Sequence, residues 1–513
     1  MINLRKNIPT YARQYLLIFL ITVSCISLAF ASEAVDESRP VPQGEKLRLE
    51  RLGKEFEDLR VLLKIPGMSA AIVKDQKLIW TYGFGHADLV TNTAATADTL
   101  YPIASLTKTF ASTLLMQLSE QGKLNLDDPM QKYLDAEMMM RYFGKADAPE
   151  ITIRHVLTHT SEGSPGDEYN YNGFRFGSLT IVIEKASGTS FRKLMVENIL
   201  NRAEMFDTVT VQEAPKRLAK PYQVYGDSVL PSDYPSNKLN AAAGLISSVT
   251  DLARYDIAVD RHMFLKEASQ AASWTAAISK QGKTLPYGLG WFIQRYQGLK
   301  FVYHYGWWPN QFSSLLLKVP EKNLTLILLA NSDALVAPFA FNGVGEGDVM
   351  TSPFASAFIR AFVLEDLYGQ ILPTPQWTLN SQQFSADISR FGNSGIKYQY
   401  EAELRARARV LKWLEFKREQ AREATKVEDK IVDAYVGEYL LRPGLVLYVE
   451  KDGAKLMLRA RGVGEFELAA KSNTQFFVRT DEFQVSFVQN GQGQTTHLIV
   501  HRIGQDLQAK KIK

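Results

Sequence analysis

Apolar runs with a strand period and apolar runs with a helical period follow one another along this chain in an order that predicts a sheet with helices between its two halves. Residues 67–73 and 78–82 are small and apolar and are split by the polar Lys74-Asp75-Gln76-Lys77, the pattern of a β-hairpin. Leu106, Phe110, Leu114, Leu115 and Leu118 then recur at three-to-four spacing, which predicts a buried helix with Ser105 at its start. A similar period predicts a second helix over 181–200, and strand-like composition returns at 302–304, 312–319 and 324–329. An α/β or α+β layout around one sheet follows.

The later part of the chain changes character. Residues 401–430 are rich in Ala, Glu, Arg and Lys, with Leu404, Val410, Leu411, Leu414 and Phe416 between them, and read as an amphipathic connector helix whose charges form a solvated face. Short runs at 445–449, 455–458, 466–468, 474–478 and 483–488 follow, mostly separated by Gly, Asp or Asn, and predict a small all-β domain. The chain divides accordingly into 1–31, a polar linker at 32–46 containing Pro40 and Pro42, a main domain at 47–372, a linker with connector helix at 373–430, and the β domain at 431–513.

The first of these segments reads as an address. Arg5, Lys6 and Arg13 precede an apolar stretch from Tyr15 to Phe30, and Ala29-Phe30-Ala31 offers a cleavage site, so a signal peptide over 1–31 and a periplasmic or secreted product are expected. An uncleaved anchor is the competing reading and the one route to a membrane. The single cysteine, Cys25, lies inside this segment, so cleavage leaves no thiol and no disulfide. A net charge of +4, spread along 513 residues, gives no nucleic-acid signature.

Candidate chemistry centres on Ser105-Leu106-Thr107-Lys108. A hydroxyl and an amine three residues apart share one face of a helical turn. An enclosed lysine loses hydration, its pKa falls, and the neutral amine can then take the serine proton, while the helix start supplies N–H groups and a positive dipole end for an oxyanion. The same spacing occurs at Ser190–Lys193 and Ser394–Lys397, so the pattern alone does not single out Ser105.

Its company does. Ile65-Pro66-Gly67, Tyr82-Gly83-Phe84-Gly85, Ser105–Lys108, ITIRHVLTHTS at 151–161, AAGLISSVTDLARY at 242–255, Tyr287-Gly-Leu-Gly-Trp291 and His304-Tyr305-Gly306 occur in that order. Together they closely resemble the serine β-lactamase and penicillin-binding-protein superfamily, in its class-C-like branch with D-peptidases and esterases, over about residues 55–370. The resemblance implies a catalytic domain with an antiparallel sheet flanked by helices. It also implies that Ser105 forms an acyl-enzyme, that Lys108 assists its deprotonation, and that Tyr171 is a second proton carrier. Counting back from Leu179, Ile183 and Glu184 selects Tyr171 for the family's Tyr-x-Asn triplet and puts Gly173 where its asparagine stands; Tyr169, or Asn172 displaced by one residue, stays open. His304-Tyr305-Gly306 resembles the strand triplet that begins with Lys in most β-lactamases, and the backbone N–H of Trp307 would join that of Ser105 as the oxyanion hole. An imidazole in place of a fixed ammonium argues against an efficient β-lactamase. Tyr169, Asn172, Tyr305, Gly306 and Trp308 are expected to line the substrate. The segment from Val432 resembles a lipocalin-like β domain appended to such hydrolases.

No cofactor and no metal are expected: His155 and His159 have zinc-pair spacing but no third ligand, and are read as local hydrogen-bonding residues. His497 and His501 are read as surface or edge positions of the β tail. Gly83-Phe84-Gly85 and Gly343–Gly347 are read as turns rather than a phosphate cradle. The functional expectation is an exported serine hydrolase acting on a small-molecule or peptide substrate, an ester, an amide or a cell-wall-derived D-amino-acid peptide. The alternatives are a non-catalytic binding or regulatory protein and a D,D-carboxypeptidase, transpeptidase or β-lactamase.

Overall fold

The computed structural model describes residues 43–210, 217–236, 238–340, 345, 347–372, 395–421, 424–442, 445–453, 455–460, 464–478, 483–502 and 505–513. The expected signal peptide at 1–31 lies outside them. Among the described residues no helix is long and apolar enough to cross a membrane.

Two stretches of chain far apart in sequence build the main sheet. The N-terminal part supplies helix α1 (Gln43–Leu62) and strands β1 (Gly67–Lys74), β2 (Lys77–Asp88) and β3 (Thr93–Ala94). Helices α2 (Thr107–Glu120), α3 (Gly173–Gly177) and α4 (Val249–Asp260) lie between them and the returning strands β4 (Phe292–Tyr296), β5 (Leu299–Trp308), β6 (Phe312–Val319) and β7 (Leu324–Ala330). These form one seven-stranded sheet in the order β3-β2-β1-β7-β6-β5-β4. The pairs from β2 to β4 in that order are antiparallel, with Ala70 opposite Leu328 and Leu315 opposite Leu328 on the other side.

Strands β1, β6 and β7 are buried over nearly their whole length, so both faces of the sheet must be covered. On one side Phe56 of α1 meets Phe84 of β2 and Phe354 of helix α5 (Pro353–Ile359) edge to face. On the other, Lys318 of β6 is 2% exposed and reaches Asp256 and Asp260 of α4 at 2.5 and 2.9 Å. Helix α2 is enclosed on all sides by the helical part, with Phe110 stacked 3.9 Å from Tyr255.

The period expected over 181–200 is interrupted. The helix Leu179–Ser187 ends at Gly188, whose φ of +69° gives a left-handed cap, and a new helix begins at Phe191 under a Ser190 side-chain cap. Ser190 therefore accepts from the Lys193 backbone N–H, which gives that Ser-x-x-Lys run a capping role.

Helix α6 (Gly395–Gln420) is the expected connector, but its charges are not all solvated. Glu403, Arg407 and Lys417 are 0%, 4% and 0% exposed. Glu403 accepts from Arg360 at 2.9 Å, and Arg360 also donates to Glu55 of α1 at 2.5 Å, joining the connector to both ends of the catalytic fold. The C-terminal domain is a closed eight-stranded barrel, β8 to β15: Gly437–Arg442, Leu445–Asp452, Lys455–Ala460, Gly464–Ala470, Gln475–Val478, Phe483–Gln489, Thr495–Arg502 and Gln505–Lys511. It closes where Tyr439 pairs with Lys511, and Tyr435 stacks on Phe487 at 4.0 Å inside.

Replacing Glu403 by Ala removes one of the two carboxylates on Arg360 in a dry site and leaves Glu55, a change expected to cost about 1.5–3 kcal/mol. Urea unfolding monitored by tryptophan fluorescence measures it; a loss under about 1 kcal/mol, typical of an exposed pair, contradicts the role given to this cluster.

Candidate active site

Ser105 sits where an irregular turn runs into α2. The preceding residue, Ala104, has φ +48°, a left-handed conformation that costs an L-residue energy and persists only where the surroundings hold it. Those surroundings are close: Ser314 Oγ donates to the Ile103 carbonyl at 2.8 Å, and a Cβ added to Gly306 would lie 2.0 Å from that same oxygen. Glycine is thus required at 306, because β5 presses directly on the turn that carries Ser105. This contact brings β5 at Gly306 against the backbone of Ile103, two residues before Ser105.

One helical turn on, Lys108 Nζ donates to Ser105 Oγ at 2.8 Å and to the Ala242 carbonyl at 3.0 Å. The lysine is 1% exposed, whereas Ser105 keeps part of its surface open. Among the described residues no carboxylate accompanies the amine to repay its lost hydration, and desolvation lowers its pKa from 10.5 to about 7. Its remaining surroundings are aromatic: Nζ stands 5.1 Å from the Tyr171 ring and 5.4 Å from the Phe176 ring.

Tyr171 completes the group by a side-chain hydrogen bond with Ser105, and burial pushes its phenol pKa well up, so it is a neutral O–H at ordinary pH. Of the two groups on Ser105, the amine is the one that can be an available base near neutrality. His159 lies against Tyr171 with ring centroids 4.2 Å apart, and its Nδ1 accepts the Asn172 backbone N–H. His155 bonds Thr152 in a helix cap. Among the described residues no cluster of three or more His, Cys, Asp or Glu could hold a metal ion.

The structure places the other sequence-selected residues differently. Tyr169, the alternative to Tyr171, sends its hydroxyl to the Gly345 carbonyl at 3.1 Å. Asn172 caps α3 by accepting from Arg175 N and donates to Glu162 at 2.5 Å, so its amide does not serve the cleft. Tyr305, expected against substrate, is 2% exposed; its oxygen accepts the Gly345 N–H and its ring packs on Phe339. His304 is 0% exposed with both nitrogens occupied. Nδ1 donates to the Tyr305 carbonyl at 2.7 Å, which leaves Nε2 to accept from Tyr287 OH at 2.8 Å. Burial and the nearby Lys108 keep this imidazole neutral, well below its ordinary pKa, so no fixed charge stands at the head of the triplet. Trp307 and Trp308 remain partly exposed at the end of β5, and the Trp307 indole donates to Asp333.

Three contributors escaped sequence reasoning: the Ala242 carbonyl, Phe176, and the Tyr287 hydroxyl. Ala242 and Tyr287 lie in strings whose order was legible, but a backbone carbonyl leaves no side-chain signature and Tyr287 reads as an ordinary core aromatic. A cavity of about 820 Å³ lined by Asp88, Thr99, Arg217 and Tyr234 does not include Ser105 in its wall.

Lysine side-chain NMR should show one ε-methylene resonance titrating near pH 7 that vanishes in Lys108→Met; a fully conventional titration near 10.5 contradicts the burial argument.

The chain is similar to several known proteins. The family model described as Beta-lactamase matches residues 56–344. Penicillin-binding protein 4* of Bacillus subtilis is 23% identical over 487 residues, covering 85% of this chain and 93% of its own. Protein flp of Staphylococcus aureus is 25% identical over 318 residues, 53% of this chain and 61% of its own. The octameric penicillin-binding protein homologue from Pyrococcus abyssi shares the fold with a TM-score of 0.53 at 20% identity, covering 90% of this chain and 100% of its own. With more than half of its length matched by the family model and Ser105, Lys108 and Tyr171 gathered at one point, the chain belongs to the serine β-lactamase and penicillin-binding-protein superfamily.

Proposed function

We propose that this chain is a serine hydrolase that works through an acyl-Ser105 intermediate, with esters as its preferred substrates. The single observation that carries the reading is Ser105 Oγ held 2.8 Å from a lysine amine whose pKa burial has brought to about 7.

Neutral Lys108 takes the Ser105 proton as Oγ attacks the substrate carbonyl carbon. Negative charge that develops on the carbonyl oxygen is met by the N–H groups of Ser105 and Trp307 at the positive end of α2. The carbonyl-to-leaving-group bond then breaks, and the leaving group takes its proton from the Lys108 ammonium with the Tyr171 hydroxyl as relay. Water attacks the acyl-serine with its proton passing to Lys108, the bond from the acyl carbon to Ser105 Oγ breaks, and Lys108 hands that proton to Ser105 Oγ as the acid departs.

The neutral, fully engaged His304 supports esters over β-lactams and D-alanyl peptides. A substrate carboxylate finds no fixed ammonium at that point of β5, and charge-assisted bonds to such groups are roughly twice as strong as neutral ones. Export to the periplasm or beyond is the companion proposal and rests on the polar-then-apolar pattern of residues 1–31.

Full-length protein should release nitrophenol from short-chain p-nitrophenyl esters, with kcat/KM rising through about pH 7 as Lys108 loses its proton. Ser105→Ala should lower the rate by at least about 10³-fold, while Ser190→Ala, which removes only a helix cap, should leave it within about twofold. Wild type and Ser105→Ala equally inactive on these esters and on D-alanyl peptides would replace the hydrolase by a binding protein.

A further inference from the structure

Away from Ser105, a cavity of about 590 Å³ opens between residues 154–166 and 272–289, and its wall carries charge of one sign. Arg154, His155 and Lys280 line it, and among the described residues no Asp or Glu does. The larger cavity noted above differs in this respect, because its wall includes Asp88, which holds Lys220 at 3.1 Å.

The donors of the smaller cavity are still open to a ligand. Lys280 is exposed and has no ion-pair partner among the described residues. Arg154 gives Nε and Nη2 to Asp127 at 2.6 and 2.9 Å, which leaves Nη1 unengaged among the described residues. His155 Nδ1 accepts the Thr152 N–H at 3.2 Å, so the proton of the neutral ring sits on Nε2. That nitrogen and Lys280 face a common point: a Cβ built on Gly166 would lie 3.2 Å from His155 Nε2 and 3.4 Å from Lys280 Cε. Glycine, with φ +89°, keeps the point free. Ser279, 5% exposed, accepts the Lys283 N–H at 3.1 Å and retains its own O–H as a further donor.

The size and the remaining wall narrow the ligand. The volume suits a small organic molecule, and Ala272, Ala276, Ala277, Ile278 and Leu289 add hydrocarbon to it. Two cations and an imidazole N–H suit a dianion with three terminal oxygens, since bonds to ionised partners are about twice as strong as neutral ones. An apolar group beside that head gains by leaving water against the alanines and Ile278.

We propose that this cavity binds the phosphate monoester of a small apolar alcohol, its phosphate held by His155, Lys280 and Arg154 and its organic part laid on Ala276, Ala277 and Ile278. The ligand would bridge two segments that the active site uses. His159, packed on Tyr171, lies in one, and Tyr287, the donor to His304, lies in the other. The segments already meet where Lys280 N donates to the Gly166 carbonyl at 3.0 Å. The site is separate from Ser105 and does not depend on acyl-enzyme chemistry.

Isothermal titration calorimetry of the full-length protein with phenyl phosphate, inorganic phosphate and benzoate, at one ionic strength, tests the proposal. Phenyl phosphate should bind more tightly than inorganic phosphate, which lacks the ring, and than benzoate, which lacks the third oxygen and the second charge. Lys280→Met should weaken phenyl phosphate by at least about tenfold, the effect of losing one bond to a charged group. Lys283→Met, which removes the same charge from the same segment outside the cavity wall, should leave the affinity within about twofold. Both lysines are exposed, and circular dichroism checks that both variants fold. Absence of binding to wild type, undiminished binding in folded Lys280→Met, or equal losses in the two lysine variants overturns the site. Benzoate or inorganic phosphate binding as tightly as phenyl phosphate overturns the assignment of a phosphate monoester.

Discussion

The amine of Lys108 has been taken out of water with no counter-charge among the described residues, and the rest of the site is arranged around that fact. A buried ammonium is costly, so the group gives up its proton near neutrality instead. What it keeps are two neutral acceptors, Ser105 Oγ and the Ala242 carbonyl, and two ring faces. A carboxylate in that position would have restored the lysine's ordinary pKa and removed the base. The same burial raises the Tyr171 phenol and suppresses protonation of His159 and His304, so one physical cause fixes the state of all four groups. In this arrangement the site has a single group poised to exchange a proton near pH 7.

The fold serves this enclosure from both ends of the chain. Strands β1 and β7 pair across more than two hundred residues of sequence, and β5 and β6 extend the sheet until Gly306 presses on the turn before Ser105. The strained Ala104 is held by that pressure. Beyond the catalytic part, α6 reaches back toward the same strands: Lys417 donates to Asn310 in the turn between β5 and β6, while Gln420 Nε2 donates to the Val478 carbonyl of the barrel. The same helix thus touches both the barrel and the turn that follows Trp307 and Trp308.

Much of this was legible in the residues, for reasons that differ from element to element. The helix from Ser105 could be read because its apolar residues keep a clean period, and the two halves of the sheet because they are nearly continuous apolar runs. Tyr171 was reached by counting back from Leu179, Ile183 and Glu184, and the structure puts the helix that carries them, Leu179–Ser187, directly after α3. The barrel was only partly legible. Five of its strands show short apolar runs, but Gly437–Arg442, Thr495–Arg502 and Gln505–Lys511 mix charged and polar residues among the apolar ones and lose the signal. The burial of Glu403 and Lys417 was not legible either, because a charged residue on a helix reads as solvated until its partner, distant in sequence, is known. His304 shows the same limit: its place in the triplet was readable, but its bond to Tyr287, which turns it from a substrate-facing group into a buried neutral one, exists only in the folded chain.

The most direct measurement of the central claim is the pH dependence of the rate at which a fluorophosphonate modifies Ser105, followed by intact mass and peptide mapping in wild type and Lys108→Ala. The account predicts a single adduct on Ser105, a rate that climbs through about pH 7 in wild type, and loss of that inflection together with most of the rate in Lys108→Ala. An adduct on another residue, or a wild-type rate that keeps the same pH profile without Lys108, would contradict it.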